Sequence, residues 1–183
     1  MQTGETLLYS GSKDDAHLSD VAMMLRNKVA VSLISYSPVN DRIITARFNS
    51  CHIRTTTVQV YAPKNDAKDV FHEQLQTTTD KIPKHNIVLL MEDWNAKVGD
   101  QKDSKEGSVV CHHRLHRERS ENGEFFVELC PNNNLVITTT LFSHKDIHKH
   151  LWVSPDTPTR NQIDHVCGKF RRSVHSVRKS CIL

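Results

Sequence analysis

The sequence predicts an α/β fold, and four stretches predict it. Arg42–Phe48 and His52–Tyr61 are rich in β-branched residues and read as neighbouring strands joined at Asn49 and Ser50. Asp66–Ile82 has the apolar spacing of an amphipathic helix. Ile87–Met91 is a short, continuous apolar run directly after that helix, as expected of a central strand buried on both faces.

The remaining elements follow in chain order. Residues 1–20 are polar, with Gly4, Gly11 and the pair Asp14 and Asp15, and read as an irregular leading segment and a loop. Val21–Leu25 and Val29–Ser35 are apolar runs. The first is ambiguous, because Ser19 would also cap a helix containing Ala22 and Leu25. Ser37–Asp41 reads as a turn. In the second strand Thr55, Thr57 and Gln59 alternate with Thr56, Val58 and Val60, and Pro63 ends it. The helix puts Val70, Phe71, Leu75 and Ile82 on one face, with Asp66 as its N-cap and Pro83 closing it. After Ile87–Met91, Lys97–Arg119 is a long polar loop. Glu121–Cys130 is a second helix with Phe125, Phe126 and Leu129 apolar and Asn122 near its start, broken by Pro131–Asn134. Leu135–Leu141 reads as a strand, His144–Thr159 as a loop holding Trp152, and Ile163–Val166 as a short final strand. No internal repeat and no low-complexity linker interrupts the order.

Bulk composition bounds the function. The 183 residues suit one domain. Leu, Ile, Val and Phe make up about a quarter of the chain, above the range of disorder, so a packed core is feasible. A hydrophobic fraction of 37% is low, and implies a thin core or a partial domain. The net charge of +3 and pI near 8.6 are mildly basic. Lys145, Lys149, Lys169, Arg171, Arg172, Arg178 and Lys179 crowd the C-terminal portion; they suit phosphate contacts and a solvated face about equally. Cys51, Cys111, Cys130, Cys167 and Cys181 form no CxxC pair, which argues for free thiols. No apolar run is long enough to span a membrane, and Met1–Glu5 has no signal-peptide pattern. The expectation is a soluble intracellular protein, nuclear or cytoplasmic and not secreted.

Asp93 and Asn95 follow the buried run, at the strand end where layered α/β folds gather polar functional groups. An aspartate there takes a proton from water or holds a metal. An asparagine amide orients a nucleophile or donates to a phosphate oxygen. A polar turn gives the same letters, and the pattern alone favours the turn. Asp164 sits in Gln162–His165, where a strand carboxylate needs a partner: a histidine, a metal or an ordinary ion pair. Tyr61 ends a strand, where its hydroxyl reaches a phosphate or its ring packs on the core. His144, His148 and His150 lack the nearby cysteines of most structural zinc sites, so zinc is not expected. His112, His113 and His116 read as solvent-exposed.

Together these residues carry a resemblance. Val60–Pro63 (VYAP), Ile87–Gly99 (IVLLMEDWNAKVG) and Asn161–His165 (NQIDH) come in the order seen in the endonuclease/exonuclease/phosphatase superfamily. Asp41–Phe48, Glu121–Glu124, Asn134–Ile137 and His144–Lys149 support it. The chain most resembles the endonuclease domain of non-LTR retrotransposons and the craniofacial development protein 2-like sequences derived from them, over nearly its whole length. The resemblance implies a two-sheet β-sandwich flanked by helices, an α+β arrangement in which Val21–Leu25 is a strand. It also implies Mg²⁺- or Mn²⁺-dependent hydrolysis of phosphodiester bonds in DNA, with no organic cofactor. Asp93 would activate the attacking water, Asn95 would be its partner on the phosphate, and both would face the metal. Tyr61 would contact the phosphate, and Asp164 would orient a catalytic histidine.

Four departures from the family pattern set further expectations. The family's metal-binding glutamate lies upstream of this stretch, and Glu5 is not in that motif. The family's Ser-Asp-His lies beyond it, and neither His165 nor His175 is in that motif. Glu92 replaces the glycine before Asp93, and its charge should raise the pKa of one of the two carboxylates. Asp20, Arg114 and Arg117 stand where glycine is usual, which predicts backbone strain. The chain then reads as a single partial domain over residues 1–183, with a core of about 20–170, truncated at both ends and weak or inactive in isolation. The alternative is an exapted nucleic-acid-binding or protein-interaction module without catalysis.

Overall fold

A computed structural model describes residues 4–11, 19–64, 67–100, 109–143, 152–153 and 160–169. Thr6–Ser10 (β1) and Val21–Leu25 (β2) pair antiparallel, with Leu8 opposite Met23. Residues 6–10 are thus a strand where irregular chain was expected. Leu8 and Ser10 are buried while Leu7 and Tyr9 are exposed, so apolar residues lie on both faces and blur the alternation. Val21–Leu25 is a strand, as the resemblance implied.

The run Val29–Ser35 divides between a short helix, Asn27–Ala30 (α1), and Leu33–Asn40 (β3). β3 passes through Pro38, where a turn was expected. It is an edge strand with register shifts on either side, and an edge tolerates the missing proline N–H. Ile43–Phe48 (β4) and Thr55–Tyr61 (β5) pair antiparallel, as predicted. Lys68–Asp80 (α2) then crosses over to Ile87–Asp93 (β6), parallel to β5. The α2 N-cap is Ala67 with no side-chain bond; the expected cap, Asp66, lies outside the described residues. Phe71 and Leu75 are buried, but Val70 is 58% exposed, off the predicted face.

Glu121–Asn132 (α3) is capped by Ser120, whose Oγ accepts the Gly123 N–H. It runs through Pro131 rather than breaking there. The chain leaves it through Asn134, φ 54°, with the Leu135 N–H on the Cys130 carbonyl and the Asn134 N–H on the Pro131 carbonyl. This is a Schellman ending. Of the strand expected at Leu135–Leu141, only Val136–Ile137 (β7) forms; Thr138–Thr140 turn into a 3-10 helix. Thr140 donates to the Ile137 carbonyl three residues back, a local bond that offers the backbone an alternative to the ladder, while Thr138 donates across to the Val166 carbonyl. Trp152–Val153 (β8) pairs with Arg160–Asn161 (β9), and Asp164–Gly168 (β10) is the last strand.

The large sheet runs β3-β4-β5-β6-β10-β7. One face meets the β1–β2 sheet through Leu8, Val21, Met23 and Leu25 against Ile44 and Ala46. The other buries Val58, Val60, Val88 and Leu90 under Phe71 and Leu75 of α2 and Phe126 and Val127 of α3. The two-sheet sandwich with helices outside is therefore borne out. In Lys97–Arg119 the described part has no regular element beyond one bridge, Val98 to Arg119, yet Val109, Val110 and Cys111 are buried. Cys51, Cys111 and Cys130 are free thiols, and Cys130 Sγ lies 3.6 Å from Cys167 Sγ. No helix among the described residues is long and apolar enough to cross a membrane. His144, His148, His150, Cys181 and the basic cluster other than Lys169 lie outside the described residues.

Candidate functional site at the end of β6

The register of three neighbouring strands brings together residues far apart in sequence. Tyr61 on β5 lies opposite Asp93 on β6, and Asp93 lies opposite Asp164 on β10. Residues paired in this way project to one face of the sheet. Tyr61, Asp93 and Asp164 thus form one row at one edge. Arg42 extends it: its carbonyl accepts the Tyr61 N–H, its guanidinium carbon lies 5.4 Å from the Tyr61 ring centroid, and its Nη1 donates to the Tyr61 carbonyl at 3.5 Å.

Asn95 joins the row from the following loop. Its backbone is left-handed, φ 47°. Its N–H donates to Asp93 Oδ1 and its Nδ2 to the Ala62 carbonyl, both at 2.8 Å. The Ala62 N–H returns a bond to the Asp93 carbonyl at 2.9 Å. The loops after β5 and β6 are therefore tied together around Asp93. Asn95 Oδ1 is buried and has no partner among the described residues. Positive φ among the described non-glycine residues falls at Asn95 and Asn134, so the strain expected at Asp20, Arg114 and Arg117 is absent. Arg114 instead pairs with Asp100 at 2.5 Å.

The helix side supports these loops. Asn122, buried on α3, donates Nδ2 to the carbonyls of Pro63 and Trp94, at 3.0 and 3.2 Å. Trp94 stacks on Phe126, centroids 4.1 Å apart. Ser120 Oγ also accepts the Lys97 N–H, and a methyl at Gly123 would overlap the Lys97 carbonyl oxygen. Arg119 pairs with Glu124 and donates to the carbonyls of Val98 and Asp100. His165, fully buried, contacts Thr139 Oγ1 through Nδ1 and the Ala96 carbonyl through Nε2. A carbonyl only accepts, so Nε2 carries the proton and the ring is a satisfied core histidine. His116 is half-buried and accepts the Gln162 N–H, correcting the expectation of three exposed histidines. Sequence reading placed Asn122 only as a helix-start residue and missed Arg42 and Arg119. The one signal for Asn122 was its spacing, four residues before Phe126 on the buried face.

A divalent cation suits this edge only in part. Two carboxylates and the unbonded Asn95 Oδ1 are oxygen donors of the kind a hard cation takes, and Mg²⁺ commonly uses one or two carboxylates and keeps waters. Among the described residues, no three His, Cys, Asp or Glu side chains converge to hold a metal. The Glu92 side chain, expected to perturb Asp93, lies outside what the structure describes.

Searched against known families, the chain matches no family model. It is 31% identical over 184 residues to craniofacial development protein 2 of Bos taurus and 29% identical to that of Tragulus javanicus, in each case over 97% of its own length. It spans only 30% and 31% of those relatives. Among solved structures it is similar to the endonuclease domain of TRAS1, a telomere-specific non-LTR retrotransposon, with TM-score 0.63 and 14% identity over 90% of this chain and 66% of that one. An AP endonuclease from Leishmania major gives TM-score 0.61 at 11% identity, over 90% and 62%. An endonuclease/exonuclease/phosphatase family protein from Leptotrichia buccalis gives 0.58 at 15%, over 93% and 61%. The resemblance read from the motifs is borne out, and the fold is that of these nuclease-type proteins.

Proposed function

We propose that this chain, with its endonuclease/exonuclease/phosphatase fold and its resemblance to craniofacial development protein 2, is part of a DNA phosphodiesterase domain of the retrotransposon endonuclease kind. The observation that carries this reading is the row Tyr61, Asp93, Asp164 on three adjacent strands, with Asn95 beside it. Asp93 is the group that takes the proton from an attacking water. The Asn95 N–H fixes the rotation of its carboxyl. Asn95 Nδ2, with one hydrogen on Ala62, offers its second to a phosphate oxygen. Tyr61 and Arg42 meet the phosphodiester backbone from the β5 side, and Asp164 orients a donor on the other. A Mg²⁺ or Mn²⁺ held by Asp93 and Asn95 would neutralise charge on the phosphate.

That Glu5, His165 and His175 do not match the family's metal-binding glutamate and Ser-Asp-His argues for weak cleavage by this chain alone. It also favours a second reading, a DNA-binding module without catalysis. Nicking of supercoiled plasmid with Mg²⁺ or Mn²⁺ decides between them. Slow nicking that falls by about 10²-fold or more in Asp93→Ala supports the enzyme. Salt-dependent DNA binding with no nicking supports the module. Equal nicking by wild type and Asp93→Ala removes Asp93 from the chemistry.

A further inference from the structure

The Trp94–Asn95 peptide is held at both ends. Its N–H donates to Asp93 Oδ1, and its carbonyl accepts from Asn122. A peptide is planar, so fixing the carbonyl fixes the direction of the N–H. That N–H is one contact that orients the Asp93 carboxyl, and Asn95 itself has a left-handed φ. The second Asn122 amide hydrogen holds the Pro63 carbonyl, two residues beyond Tyr61. One side chain therefore grips the loops that follow both β5 and β6.

Asn122 is an expensive choice for packing alone. It is 6% exposed, and its Oδ1 is buried with no partner among the described residues. A buried acceptor left unpaired destabilises, and an apolar residue of similar volume would avoid that cost. The residue is itself rigidly placed, on the first turn of α3, where Ser120 and Gly123 press the helix start against Lys97. Costly polar burial, left-handed backbone and a fixed carboxyl meet at one peptide. Such conflicts with local preference concentrate at functional sites.

We infer that Asn122 is a positioning residue: through the Trp94–Asn95 peptide it sets the orientation of Asp93 and Asn95 for the reaction. This rests on the proposed phosphodiesterase reading. Two variants test it, Asn122→Leu and Asn122→Ser, the second keeping one donor. Amide hydrogen exchange followed by NMR reports on the peptide without needing activity. In Asn122→Leu the Asn95 N–H should exchange about tenfold faster or more, while Val58 and Leu90, in the core strands, keep their protection. With wild type that nicks, kcat should fall by about 10- to 100-fold with KM nearly unchanged. Asn122→Ser should fall between, and it carries the same comparison should the leucine variant fail to fold. Unchanged Asn95 exchange overturns the inference, as does equal loss of protection at Val58 and Leu90. Wild type that does not nick, whether or not it binds DNA, defeats the phosphodiesterase reading instead, and the exchange data still decide whether Asn122 anchors the peptide.

Discussion

Asn134 and Asn95 both adopt left-handed backbone, φ 54° and 47°, in regions that use it differently. Asn134 is exposed at the end of α3, where the turn satisfies the carbonyls of Cys130 and Pro131. Everything the conformation gains there is helix termination. Asn95 terminates no helix. Its N–H is spent on a carboxylate, its Nδ2 on the neighbouring loop, and its Oδ1 is buried without a described partner. Left-handed backbone therefore does not by itself mark a site. What distinguishes the two is whether the bonds it secures complete an element of the fold or aim a reactive group.

The largest expected effect tests the Asn95 half of this contrast. Asn95→Gly keeps the backbone freedom and removes the side chain. Stability should change by no more than about 1 kcal/mol, the worth of one hydrogen bond offset by relief of strain. Any nicking should drop by about 10²-fold or more, because a donor to the phosphate is lost. Nicking that survives in Asn95→Gly would make Asn95 a turn residue like Asn134. The converse is Asn134→Ala, which removes the short polar side chain that lets asparagine tolerate left-handed backbone and should cost about 1 kcal/mol. In a chain of this length that lowers Tm by about 2–4 °C. Asn134→Gly should equal or exceed wild type in the same melt. Neither change at Asn134 should alter nicking per folded molecule, and a loss there would erase the distinction.

The sequence disclosed the parts of each region that rest on local pattern. Ile87–Met91 was legible because a continuous apolar run after an amphipathic helix has few other readings. The position of Asp93 at its end followed. The strand holding Asp164 was legible too, although it runs on to Gly168. The row itself was not legible, because pairing register between β5, β6 and β10 is a non-local outcome. Asn122 was hidden for the same reason: its bonds reach 59 residues back to Pro63 and 28 back to Trp94. β1 was hidden for a different one. Leu7 and Tyr9 face out while Leu8 faces in, so binary pattern gave no period to read.

The smallest expected effect belongs wholly to the architectural side. His72 on α2 stacks on Phe125 of α3, centroids 4.4 Å apart, and meets the edge of Phe71 at 5.2 Å. Its Nε2 is buried with no partner among the described residues. Burial pushes its pKa down to about 4, with Asp69 pulling weakly the other way. The unfolded chain, with an ordinary histidine near 6.5, binds the proton first as pH falls. Between about 6.5 and 4 the unfolded state therefore holds more protons, and stability declines through that window as pH drops. Below it both states are protonated and this contribution stops changing. His72→Phe keeps an aromatic ring against Phe125 and removes the titration. Melts at pH 7 and pH 5 should show a smaller Tm loss in the variant than in wild type. Equal losses would mean that the fold's acid sensitivity lies elsewhere, in its carboxylates, and that the α2–α3 contact is indifferent to pH.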